Sequence, residues 1–336
     1  MKRARTALLL LPVTVMLALA GCASAEGGGG DDDQIVVGYS GYTLTNPFFA
    51  GLVKGLEDGA DAHGYTLITT NSNGDNNAQV TDVQNLISQG ADYIIICPGD
   101  GKAIVPAVNQ AVDAGIPVLA IADTIDSDKL ATTITPDHVE IGTLGAQALV
   151  DFLTDKYGEP RGKIVNMQGA AGVPATNYRE EGFQGVISQY PDIEVVATAD
   201  GGFDTDKTFQ ALSSILQAHP DIDAVFTAND GEAQGATKAI EAAGLFHKVG
   251  EEGHIFVNGN DAPPPTIADI RAGRQDVSVS QQPIKMAMAA MDNIALLASG
   301  EEVPKLITWP VQVISLENID SPEVLEYGIW ADEVSN

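Results

Sequence analysis

Short apolar runs rich in β-branched residues alternate with longer helical stretches from Gln34 onward. The pattern predicts a first strand at 35–39, followed by a helix at Pro47–His63 that has proline in its first turn and a glycine directly after its last residue. Further strands are predicted at 65–70, 93–97 and 118–122, and further helices at 78–89 and 103–114. Such alternation is typical of βαβ units, in which helices cover both faces of a parallel sheet.

The same order of elements then begins again. Strands are predicted at 163–168, 193–198, 224–227 and 255–258, and helices at 177–189, 205–218 and 232–243. The first strands of the two series begin 128 residues apart, and the strands at 93–97 and 224–227 begin 131 residues apart. We interpret this as an internal duplication of an open α/β unit. The predicted fold class is α/β, with two similar doubly wound open parallel sheets, one in each of two lobes.

The loops that follow the predicted strands share a restricted set of side chains. They are rich in Asn, Asp, Gln, Arg and Phe, and they lack His. Amide, carboxylate and guanidinium groups form hydrogen bonds in a plane, and aromatic rings offer flat apolar faces. Because ligands of open α/β sheets bind at the carboxyl ends of the strands, the sequence predicts a cleft suited to a neutral polyhydroxylated molecule.

Each of these residues also has a simpler interpretation. Asn and Asp are common cap and turn residues. Phe49 could be a residue of the hydrophobic core, and Arg179 could form a surface ion pair with Glu180 or Glu181. The recurrence of the same residue types at matched strand ends in both series favours a binding site.

Composition and charge narrow the function classes. The 336 residues are 44% hydrophobic and 19% charged, as in soluble globular proteins, and their formal net charge is −29. A negative field of this size disfavours nucleic acids and polyanionic ligands. The five histidines show no metal-ligand spacing, so no metal or cofactor is predicted. Cys97 ends an apolar strand, and we interpret it as a small core residue.

The first 21 residues have the features of an export signal. Three basic residues precede an apolar stretch at 7–20, which is too short to span a bilayer, and Leu19-Ala20-Gly21-Cys22 resembles the bacterial lipobox. That resemblance implies cleavage before Cys22, lipidation of its thiol and anchoring to the outer face of the cell membrane. Residues 26–33 then form a flexible tether, and the mature chain carries a net charge of −32. The alternative is an ordinary export signal with an incidental cysteine.

The sequence lacks the motifs of two other classes of protein. A nicotinamide-dependent enzyme is disfavoured because no G-x-G-x-x-G motif follows the first strand. The sequence there is Gly38-Tyr39-Ser40-Gly41. Gly99-Asp100-Gly101-Lys102 is not a P-loop. A sugar-responsive repressor would carry a helix-turn-helix where this chain carries the export signal.

Several local motifs lie in order between residues 34 and 316. They are Asn46-Pro47-Phe48-Phe49, Gly115-Ile116-Pro117-Val118 ahead of Asp123, Gln168-Gly169-Ala170-Ala171-Gly172 ahead of Arg179, Phe203-Asp204, His219-Pro220, Asn229-Asp230 and Gln281. As a set they resemble the ribose-binding-protein-like family, the type I periplasmic sugar-binding proteins of ABC importers.

This resemblance implies a monomeric, two-lobed binding protein whose three-strand hinge closes on a ligand. One lobe would hold residues 34–136 and 282–308, and the other residues 137–281 and 309–336. The ligand would be a small neutral sugar or sugar alcohol delivered to an ABC permease, with no catalysis and no cofactor. A sensor subunit for a chemoreceptor or histidine kinase shares every feature and stays an alternative.

The resemblance also implies the residues of the pocket. They are Asn46, Phe48, Phe49, Asp123, Arg179, Phe203, Asn229, Asp261 and Gln281, with Tyr42 and Asn177 added as further candidates. Phe48 and Phe203 would stack on opposite faces of the ligand.

Two departures from the family pattern bear on the ligand. The family's Asp-Arg pair is Asp123-Thr124 here, and the first loop is about two residues longer, which brings in Gly41 and Tyr42. Both change the hydrogen-bond donors and the shape of the pocket, so a pentose, a related monosaccharide and a sugar alcohol all fit the pattern. Residues 321–336, which include Trp330, receive no function from the sequence.

Overall fold

The computed structural model describes residues 34–328. The predicted export signal, Cys22, the tether at 26–33 and Trp330 lie outside the described residues.

Within that range the chain forms twelve strands and nine α-helices. In chain order they are β1 (Val36–Gly41), α1 (Pro47–His63), β2 (Thr66–Asn71), α2 (Asn76–Ser88), β3 (Tyr93–Cys97), α3 (Val105–Asp113), β4 (Val118–Ile121), β5 (Thr132–Pro136), α4 (His138–Tyr157), β6 (Gly162–Gln168), α5 (Pro174–Ile187), β7 (Ile193–Asp200), α6 (Thr205–Ala218), β8 (Ala224–Thr227), α7 (Asp230–Ala242), β9 (Phe256–Asn260), α8 (Pro264–Arg271), β10 (Val277–Ser280), α9 (Pro283–Ala298), β11 (Leu306–Trp309) and β12 (Gln312–Ser315). A short π-helix at Val324–Gly328, here named the C-terminal segment, follows β12.

The strands form two six-stranded sheets with equivalent orders. The first sheet runs β11-β5-β4-β3-β1-β2, and the second runs β12-β10-β9-β8-β6-β7. Pairing is parallel in the first sheet, while β12 lies antiparallel to β10 in the second. The predicted fold class is confirmed, and the matching strand orders agree with the interpreted duplication. We name the first sheet and its helices the first lobe, and the second sheet and its helices the second lobe.

The chain passes between the two sheets three times, at residues 137, 281–282 and 310–311. These passages lie next to the lobe boundaries implied by the resemblance, which remain a prediction at residue level. No helix within residues 34–328 combines the length and the apolar content needed to cross a bilayer.

Helix α1 has the bounds that the sequence predicts. Asn46 caps its N-terminus by accepting a hydrogen bond from the Phe48 backbone N–H, and Pro47 occupies its first position. Gly64 ends it with φ of 71°, in the left-handed region. These local signals fix where the first-lobe wall of the cleft begins.

Helix α5, by contrast, begins three residues before its predicted start at 177. Pro174 occupies its first turn, and the helix crosses α4 at two glycines. A Cβ on Gly142 of α4 would lie 2.0 Å from the Arg179 carbonyl oxygen, and one on Gly182 of α5 would lie 2.1 Å from that of Val139. The two backbones therefore approach too closely for any side chain at the crossing.

Candidate functional site

A cavity of about 310 Å³ lies where the loops of both lobes meet. Its size is at the low end of small-molecule sites, about 300–1,000 Å³, which suits a ligand of monosaccharide size. All but one of the predicted pocket residues line it, namely Tyr42, Asn46, Phe48, Phe49, Asp123, Arg179, Phe203, Asn229, Asp261 and Gln281. Because most of them follow a strand, the parallel topology brings them to the carboxyl edge of each sheet, and the cavity is lined from both edges.

Asn177 is the one predicted residue that does not line this cavity. It is exposed on α5 and does not line the cavity, whereas Ala175 and Arg179 of the same helix are buried and do. Successive side chains of a helix are rotated by about 100°, and Asn177 lies two positions from both Ala175 and Arg179. Its side chain therefore points to the opposite side of the helix from theirs.

The loop at 42–49 forms the first-lobe wall. The Tyr42 carbonyl oxygen accepts hydrogen bonds from the Gly74 N–H (2.8 Å) and the Ser72 hydroxyl (2.9 Å). The first loop is therefore held against the loop after β2. Phe48 and Phe49 pack edge to face, with ring centroids 5.6 Å apart. Both rings line the cavity and both contact the first-lobe core, so wall and core are continuous here.

Phe48 is 6% exposed, so its truncation affects folding as well as binding. We expect Phe48→Ala to lower the free energy of unfolding by about 3–5 kcal/mol, because it leaves a cavity in the core. Phe48→Leu retains most of the packing and should cost less than about 1.5 kcal/mol, while it removes the flat ring that would contact the ligand. Urea titration and ligand-induced thermal shifts measure the two effects. A full ligand-induced shift in Phe48→Leu would contradict a stacking role.

Asp123 reaches across the cleft. Its Oδ1 accepts a hydrogen bond from the Thr124 N–H (2.8 Å), and its Oδ2 accepts one from the Ala175 N–H (3.0 Å) of the second lobe. Burial raises its pKa to about 7, although these two bonds and Arg179 oppose the rise. The lobes are thus in direct contact through a carboxylate that also lines the cavity.

Arg179 is buried in the floor of the second lobe. Its Nη1 donates to the Ala228 carbonyl (2.8 Å), and its guanidinium carbon lies 5.8 Å from the Phe203 ring centroid. Its Nε has no hydrogen-bond partner among residues 34–328. The surface pair with Glu180 does not form, because Glu180 accepts instead from Asn166 and Gln184.

Asp261 and Gln281 form a polar group beside Arg179. Gln281 Nε2 and Asn260 Nδ2 both donate to Asp261 Oδ1, each at 2.7 Å. Burial raises the pKa of Asp261 to about 7, and Arg179 lowers it. Gln281 Oε1 is buried without a hydrogen-bond partner in the described part of the chain. A donor on a ligand would satisfy it.

Phe203 and Asn229 are held by the start of α7. Asn229 caps that helix, with its Oδ1 accepting from the Glu232 N–H (2.9 Å). Glu232 accepts in turn from the Phe203 N–H (2.8 Å) and the Ala228 N–H (2.9 Å). Phe203 has φ of 59°, and its ring lies so close over Gly169 that a Cβ there would be 2.2 Å from the ring. The cap interpretation of Asn229 is therefore correct, and the residue lines the cavity as well.

Several residues that line the cavity were not predicted from the sequence. They are His138, Thr43, Thr45, Asn73 and Val173, besides small residues and Cys97, Pro98 and Asp204. His138 was not a candidate, because it follows β5 and begins α4, and neither element was among those predicted. The signal was present in Asp137-His138, since Asp137 caps α4 by accepting from the Val139 and Glu140 N–H groups.

The buried carboxylates around the cavity predict an unusual dependence of stability on pH. Burial raises the pKa of Asp123, Glu232 and Asp261 to about 7 and that of Asp230 to about 6. The folded state therefore binds these protons more tightly than the unfolded chain. The stabilisation is complete below about pH 4 and is lost as pH rises through 6 to 7. We expect the melting temperature to fall by several degrees between pH 5 and pH 8.

Two neutralising variants separate this effect from overall charge. Asp261→Asn should flatten the pH dependence of the melting temperature. Asp155→Asn removes the same charge from an exposed site on α4 and should leave the slope unchanged. Equal slopes in the two variants would contradict a contribution from the buried group.

The family follows from comparison with known proteins. Residues 37–302 match the family model described as Periplasmic binding protein domain, and the chain belongs to the periplasmic binding protein family. The ribose import binding proteins and the galactofuranose binding protein that it matches are binding proteins, not enzymes. The ribose import binding protein of Bacillus subtilis (strain 168) is 33% identical over 283 residues, which cover 83% of this chain and 87% of the relative.

Two further relatives are a xylitol-binding protein and a structure with bound myo-inositol. The xylitol-binding protein of Mycolicibacterium smegmatis is 27% identical over 286 residues, covering 84% of this chain and 78% of that protein. A solved ABC transporter solute-binding protein of Bacillus halodurans C-125 with bound myo-inositol superposes with a TM-score of 0.78. The two sequences are 28% identical, and the superposition covers 88% of this chain and 99% of the solved chain.

Proposed function

We propose that this protein is an exported solute-binding protein that captures a neutral sugar or sugar alcohol of monosaccharide size and delivers it to an ABC permease. The observation that carries the proposal is a cavity between two lobes that combines aromatic faces with unsatisfied buried polar atoms. Phe48 and Phe203 offer the faces, and the side chains of Arg179 and Gln281, which line the cavity and each carry a polar atom without a partner among residues 34–328, offer a donor and an acceptor. Ligand hydroxyls satisfy both kinds of atom, and a ligand lacking the hydroxyl leaves them unpaired.

A ribose import binding protein, a xylitol-binding protein and a solute-binding protein with bound myo-inositol are among its relatives, and they support the ligand class. They do not agree on one ligand, and this chain keeps its own longer first loop. The pocket residues predicted from the sequence, except Asn177, are the residues we propose to contact the ligand.

The proposed mechanism is closure around the ligand. A ligand that contacts both lobes binds the closed form more tightly and shifts the open–closed equilibrium toward it. The lobes are those implied by the resemblance, 34–136 with 282–308 and 137–281 with 309–336. The permease then recognises the closed form.

A thermal-shift screen tests the ligand class. Pentoses, hexoses, tetritols, pentitols and inositols are added one at a time, and a compound that binds only the folded state raises the melting temperature. A ligand at a hundred times its Kd stabilises by about 2.7 kcal/mol, which is readily measured. No shift with any neutral sugar or polyol would overturn the proposal.

We further propose lipid anchoring through Cys22, on the lipobox resemblance. Metabolic labelling with a fatty-acid analogue should label the full-length chain and not Cys22→Ala. Equal labelling of the two chains would contradict it.

The sensor alternative needs a different partner, a chemoreceptor or a histidine kinase. Genes for a permease and an ATPase beside the gene for this protein would favour import. A neighbouring receptor or kinase gene without them would favour sensing.

A further inference from the structure

His138 occupies a position that connects both lobes. It is the first residue of α4, directly after the first passage between the sheets, and it is 4% exposed. His138 lines the cavity, and no role was predicted for it from the sequence. Its two ring nitrogens contact groups from different lobes.

The contacts of His138 fix its tautomer. Nε2 lies 2.9 Å from the Ala122 carbonyl oxygen, which can only accept, so Nε2 carries the hydrogen. Nδ1 is then unprotonated, and it lies 3.4 Å from Arg179 Nη2, which can only donate. Burial and the neighbouring guanidinium lower the pKa of His138 to about 3, so the ring is neutral.

The helix crossing sets the distance between His138 and Arg179. Gly142 follows His138 by one turn and packs against the Arg179 backbone, and Gly182 packs against Val139. Because no side chain separates the helices, the imidazole and the guanidinium are held side by side. The second contact of Arg179, with the Ala228 carbonyl, completes its orientation.

On the other side, His138 holds a strained segment of the first lobe. Ala122 has φ of 65°, which is unfavourable for a residue with a Cβ, and its carbonyl accepts from both His138 and the Thr135 hydroxyl. Asp123, which lines the cavity and bonds to the second lobe, is the next residue. The imidazole therefore joins the backbone beside Asp123 to the side chain of Arg179.

We propose that His138 is a neutral positioning residue of the binding site. It fixes the orientation of the Arg179 guanidinium in the cavity wall, and it sets the position of Asp123 relative to Arg179. The inference rests on the proposed function, because it assigns to Arg179 a contact with the ligand.

Two substitutions test this role. His138→Leu removes both hydrogen bonds, and we expect the Kd for the tightest sugar found in the thermal-shift screen to rise about tenfold to a hundredfold. His138→Gln offers one donor and one acceptor, and it should restore the Kd to within a few-fold of wild type. The variants are compared by calorimetry after their ligand-free melting temperatures confirm folding. Equal Kd values for the Leu and Gln variants, or a wild-type Kd in the Leu variant, would overturn the role.

A spectroscopic measurement without ligand distinguishes this inference from the proposed function. The ¹⁵N spectrum of the imidazole of His138 should show the neutral Nε2–H tautomer down to about pH 5. An Nδ1–H tautomer or an imidazolium at pH 6 would overturn the assignment of its contacts. A correct tautomer in a protein that binds no sugar would leave the geometry standing and reject the proposed function.

A separate observation concerns the C-terminal segment, Val324–Gly328. Val324 lies in a small second-lobe core with Ile270, Ile314 and Ile319. The other end of the segment contacts two of the three passages between the lobes. Gln282 Nε2 donates to the Tyr327 carbonyl (3.0 Å), and the Tyr327 hydroxyl donates to the Pro310 carbonyl (2.5 Å).

The segment also reaches the first lobe. Lys285 of α9 donates through Nζ to the Glu326 carbonyl (2.7 Å), and its ammonium lies 5.7 Å from the Tyr327 ring centroid. One piece of chain is thus anchored in the second-lobe core and bonded to a first-lobe helix beside the hinge. Rotation of the lobes changes the distance between those two attachments.

We infer that the C-terminal segment is a strap across the hinge that restrains opening of the ligand-free protein. Spin labels are attached to the cysteines of the variants Asp61→Cys in α1 and Asp155→Cys in α4, in a chain that also carries Cys22→Ser. Double electron–electron resonance then measures the distance between the lobes. The combined variant Tyr327→Phe and Lys285→Met should shift the ligand-free distances toward the open form and broaden them. Leu325→Ala changes an exposed side chain of the same segment and is the matched control. Distances identical to those of the control would overturn the strap.

Discussion

Replacing Arg179 with methionine is expected to weaken ligand binding by at least a hundredfold. The guanidinium is the buried cation among four buried carboxylates, and it lowers the pKa of Asp123, Glu232 and Asp261. Its loss removes the donor that we propose for the ligand and leaves buried charges uncompensated, which typically costs about 3–5 kcal/mol. Calorimetric titration measures the Kd, and thermal melts measure the stability.

The pH dependence of that variant gives an independent check. Without Arg179 the carboxyl pKa values rise further, so the stability lost at pH 7.5 should be partly recovered at pH 5.5. Arg161→Met removes an arginine whose pair with Glu159 is exposed, and it should change stability by less than about 0.5 kcal/mol. Wild-type affinity in Arg179→Met would show that the ligand site lies elsewhere.

Replacing Gly182 with alanine is expected to destabilise the protein by about 3 kcal/mol, at the upper end of what overpacking costs. The new Cβ would lie 2.1 Å from the Val139 carbonyl oxygen, so α4 and α5 must separate. Because His138 and Arg179 depend on that crossing, ligand affinity should fall in the same variant. Urea titration and calorimetry measure the two losses.

Gly185 supplies the matched control within the same helix. A Cβ at Gly185 meets nothing within 4 Å, so Gly185→Ala should stabilise the protein by roughly 0.5–1 kcal/mol through helix propensity. The change in the free energy of unfolding is thus expected to have opposite signs for glycine-to-alanine substitutions only three residues apart. If both variants changed stability in the same direction, the close crossing would not be the reason for glycine at 182.

Most of the fold could be predicted from local signals. The helix Pro47–His63 is bounded by a cap, a proline and a glycine, all of which act within a few residues. The strands at Tyr93–Cys97 and Ala224–Thr227 also have their predicted bounds, because each is a short buried run between turns. The elements between 132 and 157 were missed, although Asp137 marks the start of α4.

The residues of the candidate site also fall into a predictable group and a group that local signals do not determine. Residues that follow strands were predictable, because parallel topology sends every strand end to one edge of the sheet. Arg179 and Asn177 show the limit of that reasoning. Both lie on α5, and only the direction of the helix face, set by packing against α4, buries one and exposes the other.

The sequence by itself determined the two repeated α/β units, the polar and aromatic loops after their strands, and the resemblance that unites them. These features are encoded in spacings of a few residues and in periods that local geometry sets. The tertiary structure alone decided that His138 joins Ala122 to Arg179, that Asp123 bonds across the cleft, and that the C-terminal segment lies on the hinge. Each of these contacts joins residues from separate elements, and their distances depend on how whole helices and sheets pack.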